Sequence, residues 1–251
     1  MKGKVALVMG GGAGTGRATV DAFAAEGASV VIADINGDAA QQSLARVEAA
    51  GGEGLAVQAD MSQADDVQRV IETIRRDFGA LHMVSNNASL GVPNKPVTAL
   101  DESEWDRCMG VSLRGVWLCM KYQLPLIEAS GGGAIVNIAS VSGMRGEAHQ
   151  SAYAAAKGGV INLSKTVAVE YAKRGVRVNT VCPGGINSGG MAFYLEQMPE
   201  LREKTLSAHP MGRLAEPGEV ADAVVYLCSE RASFITGHDL VVDGGILVRS
   251  N

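Results

Sequence analysis

Seven short runs rich in β-branched residues alternate with longer segments whose apolar residues recur at helical spacing. The runs predict buried strands over Lys4–Met9, Ser29–Ala33, Gly54–Gln58, Leu81–Ser85, Ala134–Ile138, Val176–Val181 and Asp239–Val242. The segments between them predict helices over Gly16–Glu26, Ala64–Phe78, Ser103–Ile127, Ala152–Lys173 and Pro217–Cys228. Because this alternation favours right-handed crossovers, we expect one α/β domain over residues 1–251, with a doubly wound, seven-stranded parallel sheet and helices on both faces.

One long segment departs from this alternation. Residues 184–210 are too many for an ordinary connection in a compact domain. The segment carries large apolar residues, namely Met191, Phe193, Tyr194, Leu195 and Met198. We therefore predict that residues 184–210 form a lid over an apolar substrate. The alternative is a short pair of surface helices with no role in binding.

Charge and hydropathy limit the partners that the chain can bind. The net charge is −5 and the lysines and arginines form no cluster, which argues against a nucleic-acid partner. The longest apolar stretch, residues 111–127, contains Arg114, Lys121 and Pro125, so we expect no membrane span. The apolar run after Lys4 is short and passes directly into glycines, which favours a first strand over a signal peptide.

The cysteines and histidines are spaced too irregularly for a metal site. The cysteines form no CxxC pair and stand at Cys108, Cys119, Cys182 and Cys228. The histidines form no HExxH motif and stand at His82, His149, His209 and His238. We therefore expect no metal, no disulfide framework, and reduced thiols in a cytoplasmic protein. For His149, which lies between two candidate catalytic residues, a place in the substrate pocket and a solvated loop are both open.

The first predicted strand runs into the glycine-rich segment Gly10-Gly11-Gly12-Ala13-Gly14-Thr15-Gly16. This segment does not fit the spacing GxGxxG, and it is no P-loop because Arg17 stands where a P-loop has lysine. Gly10, Gly14 and Gly16 instead follow a GxxxGxG spacing. Such a turn still brings the backbone and a helix N-terminus close to a pyrophosphate. The turn therefore predicts a Rossmann-type dinucleotide site.

A single acid supports this interpretation and selects the dinucleotide. Asp34 follows the second predicted strand, eighteen residues after Gly16. A carboxylate at this place accepts hydrogen bonds from the adenosine ribose hydroxyls and repels a 2′-phosphate. No lysine or arginine follows in the next four residues, 35–38. We therefore expect NAD rather than NADP.

Three residues further along form a candidate proton-transfer group. Tyr153 and Lys157 are four residues apart at the start of a predicted helix, so they lie on one face. Because an ammonium favours a nearby phenolate, we expect Lys157 to lower the Tyr153 pKa from its ordinary value of about 10. Ser140 ends a predicted strand at the carboxyl edge of the sheet, where ligands of open parallel sheets bind. Together they predict acid/base chemistry on a substrate oxygen beside a nicotinamide.

With these motifs in this order, the sequence resembles the short-chain dehydrogenase/reductase family over essentially the whole chain. The matching residues are Gly10-x-x-x-Gly14-x-Gly16, Asp34, Asp60, Asn86-Asn87-Ala88, Ser140, Tyr153-x-x-x-Lys157, Asn179, Pro183-Gly184, Ile235-Thr236-Gly237 and Val242-Asp243-Gly244-Gly245. The resemblance implies a homotetramer that binds NAD and a small-molecule alcohol or ketone.

The resemblance also implies a role for each matched residue. The cofactor-binding residues are expected to be Gly10, Gly12, Ala13, Gly14, Thr15, Gly16, Asp34, Ile35, Asp60, Met61, Asn87, Ala88, Tyr153, Lys157, Pro183, Gly184, Ile186 and Ser188. Of these, Asp60 and Met61 would contact the adenine, and Ile186 and Ser188 the nicotinamide amide. Tyr153 would be the catalytic acid/base, Ser140 the partner of the substrate oxygen, and Lys157 both a ribose ligand and the group that tunes Tyr153.

Four residues depart from the family pattern. Met9 replaces a usual threonine, Ser89 a usual glycine, and Ser188 a common threonine. The fourth, Ser112, stands where the family has an asparagine that is thought to hold a water in a proton relay to the lysine. Serine is shorter and lacks the amide, so Ser112 is a candidate catalytic residue of an altered or slower relay.

Three hypotheses about function follow. The first is an NAD-dependent oxidoreductase that interconverts a secondary alcohol and a ketone on an apolar or cyclic substrate, such as a cyclohexanol, terpenoid, steroid or dihydrodiol. The second is a reductase of 3-oxoacyl-carrier-protein thioesters, against which Asp34 argues because such an enzyme normally uses NADPH. The third is a weakly catalytic cofactor-binding protein, which Ser112 alone supports.

Overall fold

The seven predicted strands form one parallel sheet. A computed structural model of the protein describes residues 1–188 and 197–249. The strands are β1 Val5–Met9, β2 Ser29–Asp34, β3 Gly54–Gln58, β4 Met83–Asn86, β5 Gly133–Ile138, β6 Val176–Pro183 and β7 Asp239–Val242. Their order is β3-β2-β1-β4-β5-β6-β7, and every neighbouring pair is parallel. The predicted doubly wound, Rossmann-type sheet is confirmed.

Helices cover both faces of this sheet. They are α1 Gly14–Ala25, α2 Gly37–Ala49, α3 Ala64–Asp77, α4 Glu102–Met109, α5 Val116–Ala129, α6 Ser151–Tyr171, α7 Pro199–Ala208 and α8 Pro217–Cys228. On one face, Leu7 and Val84 of the sheet belong to a core with residues of α3, α5 and α6. On the other face, Ala6 and Val8 belong to a core with residues of α1, α2 and α8. Because successive side chains along a strand point to opposite faces of the sheet, each strand contributes residues to both cores.

Two helical segments differ from the sequence prediction. Helix α2 was not predicted, because its buried stripe is Ala40, Ser43 and Val47, which gives little apolar contrast. The Asn36 side chain, which accepts a hydrogen bond from the Ala39 backbone N–H, was its only clear start signal. The single helix predicted over Ser103–Ile127 is divided by a π-helical segment, Gly110–Gly115, between α4 and α5. π-helical turns often accompany functional sites.

A buried amide network fixes the centre of the sheet against two helices. The Asn86 side chain exchanges hydrogen bonds with Gln123 of α5, at 2.9 and 3.2 Å. Asn86 also donates to the Asn137 side chain at 2.8 Å. Asn137 in turn donates to the Ser164 hydroxyl of α6 at 2.9 Å. Because α6 carries Tyr153 and Lys157, this network sets the position of both residues relative to the sheet.

The carboxyl ends of the central strands define where a ligand binds. β1, β4, β5 and β6 end side by side, and the chain order reverses between β1 and β4. Open parallel sheets bind ligands at such a reversal. The central part of the predicted lid, which contains Met191, Phe193, Tyr194 and Leu195, lies outside the described residues.

Candidate functional site

The turn after β1 accepts only glycine at two positions. Gly10 has a φ of 80°, and a Cβ on it would lie 2.7 Å from the Ala88 nitrogen. A Cβ on Gly16 would overlap the Gly10 carbonyl oxygen. The close approach of these backbones leaves the first turn of α1 open to the cleft, with its N–H groups unpaired within the helix. The turn is thus a cradle that side chains would fill, and it fits an anionic group such as a pyrophosphate.

The Asp34 carboxylate is built into the same cradle. Its Oδ2 accepts a hydrogen bond from the Gly12 N–H at 2.8 Å, and its Oδ1 accepts one from the Asn36 N–H at 2.9 Å. A Cβ on Gly12 would lie 2.8 Å from Oδ2, so this position also favours glycine. Two backbone donors therefore hold the carboxylate in one orientation at the end of β2.

A cavity of about 640 Å³ adjoins this carboxylate. The sequence-predicted residues that line it are Gly10, Asp34, Ile35, Asp60, Met61 and Ala88. The Asp60 side chain accepts from the Ser62 N–H at 2.8 Å, and the Asp60 N–H donates to Asp66 at 2.8 Å. This hydrogen bond is the main reason that the pKa of Asp66 lies below its usual value. The loop after β3 is thus fixed at the edge of the cavity.

A second cavity, of about 390 Å³, continues from the first toward α6. The sequence-predicted residues that line it are Gly10, Ala13, Gly14, Thr15, Gly16, Asn87, Ser140, Tyr153, Lys157, Pro183, Gly184, Ile186 and Ser188. Gly10 and Ser89 line both cavities. One cleft therefore runs from Asp34 to Tyr153, and among the described residues it brings together all predicted site residues except Gly12, which binds Asp34, and Ser112.

Asn87 gives an independent sign that the cleft receives a polar ligand. Its side-chain Nδ2 is buried and has no hydrogen-bond partner among the described residues. The same atom lies 3.1 Å from where a Cβ on Gly16 would stand, beside the glycine cradle. An unpaired buried donor costs about 1–3 kcal/mol. A ligand oxygen in the cleft would remove that cost, so the residues present fit a dinucleotide.

Lys157 is buried at the junction of the sheet and α6. Its side chain is 1% exposed, and Nζ donates to the Ile138 carbonyl at 2.6 Å. Nζ lies 5.5 Å from the centre of the Tyr153 ring. Burial lowers the pKa of Lys157 from 10.5 to about 8, because desolvation disfavours the charged ammonium. The lysine is therefore poised to exchange a proton near neutral pH.

The Tyr153 pKa differs in direction from the sequence expectation. Burial raises the pKa of the Tyr153 phenol above its ordinary value, because desolvation disfavours the phenolate. The hydroxyls of Ser140 and Ser89 act in the opposite direction by hydrogen bonding. Lys157 is not among the groups that shift this pKa, so the expected lowering by a neighbouring ammonium is wrong for the protein alone.

Comparison with known proteins agrees with this arrangement. Residues 10–247 match a family model described as "Enoyl-(Acyl carrier protein) reductase". The chain is 42% identical to a cyclohexanol dehydrogenase of Acinetobacter sp. strain SE19. The alignment of 241 residues covers 96% of this chain and 94% of the relative. The chain is 40% identical over 242 residues to a cis-4-hydroxycyclohexanecarboxylate dehydrogenase of Sinomonas cyclohexanicum, which covers 96% of each chain. The crystal structure of a levodione reductase superposes with a TM-score of 0.95 at 33% identity and covers 100% of both chains.

The chain belongs to the short-chain dehydrogenase/reductase family. As a member of this family it is an oxidoreductase, and its cofactor is a nicotinamide nucleotide. Among the described residues, no group of three or more His, Cys, Asp or Glu side chains could hold a metal ion. No described helix has both the length and the apolar composition to cross a membrane. The four cysteines are buried and free.

Ser112, the main departure from the short-chain dehydrogenase/reductase pattern, has a structural role. It lies in the π-helical segment and is fully buried. Its hydroxyl accepts from the Leu90 N–H at 2.8 Å and donates to the Leu90 carbonyl at 3.0 Å. The Cys108 thiol donates to the same carbonyl at 3.1 Å. Ser112 therefore anchors the loop after β4 through the backbone of Leu90.

Sequence reasoning missed three polar residues around the site. Ser89 interacts with the Tyr153 hydroxyl, although the sequence marks it only as a departure from glycine. The Ser142 N–H donates to the Ser140 hydroxyl at 3.1 Å, and the Ser142 hydroxyl donates to Glu147. Ser140 itself was an available signal for the turn, because a serine side chain commonly accepts from the backbone N–H two residues later. Nothing in the sequence pairs Ser142 with Glu147.

Proposed function

We propose that the protein oxidises a secondary alcohol on an apolar or cyclic substrate to the ketone, reversibly, with NAD. The observation that carries this proposal is the single cleft in which the Asp34 carboxylate lies at one end and Tyr153, Lys157 and Ser140 lie at the other. Substrate class rests on the relatives, which act on cyclohexanol and cis-4-hydroxycyclohexanecarboxylate according to their names.

The preference for NAD rests on Asp34. Its two oxygens are held by the N–H groups of Gly12 and Asn36, so the carboxylate cannot swing away from an incoming ribose without losing both bonds. A 2′-phosphate beside this carboxylate would meet a like charge. The next residue, Ile35, is 65% exposed and supplies no positive charge.

In the proposed mechanism, Tyr153 takes the proton of the substrate hydroxyl while Ser140 holds the same oxygen. Bound NAD supplies the hydride acceptor. Tyr153 enters this step as the phenolate. Lys157, held by the Ile138 carbonyl with Nζ 5.5 Å from the centre of the Tyr153 ring and with a pKa of about 8, is placed to exchange the proton that Tyr153 releases. In the reverse direction Tyr153 returns the proton to the ketone oxygen.

The main alternative is a reductase of acyl-carrier-protein thioesters, which the description of the matching family model favours. Such an enzyme normally needs NADPH, which Asp34 opposes. The hypothesis of a weakly catalytic protein rests on Ser112, whose hydroxyl is hydrogen-bonded to the Leu90 backbone, and the turnover assay distinguishes it from the proposed function.

Steady-state assays test the proposal. The purified protein is supplied with NAD or NADP and with a panel of cyclohexanols, dihydrodiols, terpenols and hydroxysteroids, and reduced nucleotide is followed by absorbance. We expect turnover with NAD, none with Tyr153→Phe, and weaker discrimination between NAD and NADP with Asp34→Asn. Turnover of an acyl thioester with NADPH alone would contradict the proposal.

We also propose that the enzyme is a cytoplasmic homotetramer. This rests on the family resemblance, on four buried thiols that are free, and on apolar side chains exposed on one chain, namely Trp117, Val169, Phe234 and Val248. Light scattering coupled to size-exclusion chromatography measures the mass directly. A monomer at micromolar concentration would contradict the proposed assembly.

A further inference from the structure

His209 lies at the base of the predicted lid, directly after the last residue of α7, and is 4% exposed. Its Nε2 accepts a hydrogen bond from the Gly185 N–H at 3.0 Å. Its Nδ1 lies 2.8 Å from the carbonyl oxygen of Thr205 in α7. Gly185 and His209 stand near the two ends of residues 184–210. One imidazole thus joins both ends of this long segment.

The two partners determine the protonation of the imidazole. A backbone N–H can only donate, so Nε2 of His209 accepts from Gly185 through a lone pair and carries no proton. A carbonyl oxygen can only accept, so the proton of the neutral ring is on Nδ1 and points to Thr205. A charged imidazole has a donor on each nitrogen and could not accept from Gly185. The contacts therefore require the neutral form with its proton on Nδ1.

Two consecutive glycines allow the imidazole to lie directly against the backbone. A Cβ on Gly184 would be 3.1 Å from Nε2 of His209, and a Cβ on Gly185 would be 3.0 Å from Cε1 of the same ring. The Cβ on Gly185 would also be 2.6 Å from the Leu214 side chain. A larger residue at either position would push the imidazole away. The glycines and His209 thus form one closely packed contact.

The backbone that His209 contacts forms a wall of the cleft. Four of residues 183–188 line the cavity that also contains Tyr153. The Asp34 carboxylate, which is proposed to bind the adenosine ribose, lies at the other end of the cleft. A dinucleotide that extends from Asp34 toward Tyr153 would therefore place its nicotinamide beside residues 183–188.

Backbone partners hold this wall on either side of Gly185. The Gly184 N–H donates to the Val242 carbonyl of β7 at 3.0 Å, and the Asn187 N–H donates to the Ala215 carbonyl at 2.8 Å. Between these two bonds, the partner of the Gly185 N–H is a side chain. The position of the wall at Gly185 thus depends on which residue stands at position 209.

We propose that His209 is a positioning residue that holds residues 183–188 where the nicotinamide half of the cofactor binds. This inference rests on the proposed function. Without the Nε2 acceptor, the Gly185 N–H loses its partner, and the wall has to be ordered each time a complete dinucleotide binds. The adenosine half, which binds at the Asp34 end, does not bear this cost.

Two substitutions of His209 and one control test this role. His209→Leu fills much of the space of the ring and removes the acceptor. His209→Gln keeps a carbonyl oxygen near the end of the side chain, where it can accept from Gly185. His238→Leu removes an exposed histidine at the amino end of β7, on the opposite edge of the sheet from the cleft.

The first readout compares two nucleotides that share the adenosine half. Dissociation constants of NADH and of ADP-ribose, which lacks the nicotinamide, are measured by calorimetry for the wild type and all three variants. For His209→Leu, we expect NADH to bind about fivefold more weakly, which corresponds to about 1 kcal/mol for one neutral hydrogen bond, and ADP-ribose to bind as in the wild type. His209→Gln should recover most of the NADH affinity. The control should keep both wild-type values.

Three results would overturn the inference. Equal weakening of both nucleotides in His209→Leu would do so, because a general defect of the fold has that effect. Wild-type affinity for NADH in His209→Leu would show that the hydrogen bond does not position the wall. If His209→Gln binds NADH as weakly as His209→Leu does, the acceptor is not the feature that matters.

The second readout needs neither substrate nor nucleotide. Proton–nitrogen correlation spectra of protein with isotopically labelled histidine distinguish the two neutral forms of each imidazole. The signals of His209 are those that are absent from either of its variants. We expect the form with the proton on Nδ1. A proton on Nε2 would contradict the hydrogen bond from Gly185 and overturn the inference.

Both readouts are independent of turnover, so they separate the inference from the proposed function. If the wild type oxidises no secondary alcohol with NAD, the proposed function fails, and the nucleotide affinities and the spectra still decide on His209. If the wild type is active but His209→Leu loses affinity for NADH and ADP-ribose together, His209 loses its proposed role and the proposed function stands.

Discussion

Replacing the buried Lys157 should change how the free energy of unfolding depends on pH. Lys157→Met keeps much of the side-chain volume and removes the ammonium. Because Lys157 is 1% exposed, its pKa falls from 10.5 to about 8 on folding. This lowering corresponds to about 3 kcal/mol of unfolding free energy that the wild type loses to its buried charge at neutral pH. The residue is thus costly to the fold and valuable to the proposed chemistry.

The pKa values of Lys157 in the folded and the unfolded chain determine how this destabilisation changes with pH. At pH 7 the lysine is protonated in both the folded and the unfolded chain, so the cost is present almost in full. The cost decreases as the pH rises through about 8, where the folded protein releases the proton, and it disappears above 10.5. Between pH 7 and about 9.5, the wild type should therefore gain about 2 kcal/mol of stability relative to Lys157→Met.

Urea unfolding at several pH values, at one protein concentration and without added nucleotide, measures this difference. The unpaired Ile138 carbonyl in the variant costs about 1–3 kcal/mol, but this cost is the same at every pH and cancels from the trend. Lys173→Met, which removes an exposed lysine, controls for the loss of one positive charge. A difference between wild type and Lys157→Met that is constant within about 0.5 kcal/mol from pH 7 to 9.5 would refute the reasoning.

Three further substitutions, the first with a control variant, test other parts of the site and the fold. Gly16→Ala should weaken nucleotide binding at least tenfold by fluorescence titration, because its Cβ overlaps the opposite side of the cradle. Gly218→Ala, where a Cβ meets nothing within 4 Å, should bind as the wild type does. Ser112→Asn should lower turnover and stability, since the buried hydroxyl already pairs with both backbone groups of Leu90; a sharp rise in turnover would instead indicate an impaired relay. Gln123→Leu should lower the free energy of unfolding by about 1–3 kcal/mol, because it leaves buried amide groups unpaired; an unchanged midpoint in urea would argue against the network.

The sheet was predictable from the sequence because most residues of β1, β2, β5 and β6 are apolar and buried, with β-branched residues frequent among them. β3 and β7 have the predicted bounds, and the other strands differ by one or two residues at one end or, for β4, at both ends. Helix α2 escaped because small residues form its buried stripe. The π-helical segment escaped because an inserted residue hardly disturbs helical periodicity over a long apolar stretch. Apolar patterning thus determines which elements exist and says little about irregularities inside them.

Local spacing likewise predicted part of the site. Tyr153 and Lys157 line one cavity as their four-residue spacing implies, and Asp34 lies beside the glycine turn that precedes it by one helix. Features that depend on long-range packing were not predictable. The depth at which Lys157 is buried sets its pKa, and the Leu90 backbone sets the role of Ser112. Neither the burial of Lys157 nor the pairing of Ser112 with Leu90 can be predicted from the residues that neighbour them in the sequence.

The most direct test of the central claim follows the hydride itself. Cyclohexanol that carries deuterium on its hydroxyl-bearing carbon is incubated with the enzyme and NAD, and the nucleotide is analysed by mass spectrometry. The account predicts cyclohexanone and one deuterium in each reduced nucleotide, with neither product formed by Tyr153→Phe. Reduced nucleotide without deuterium, or equal transfer by Tyr153→Phe, would contradict it.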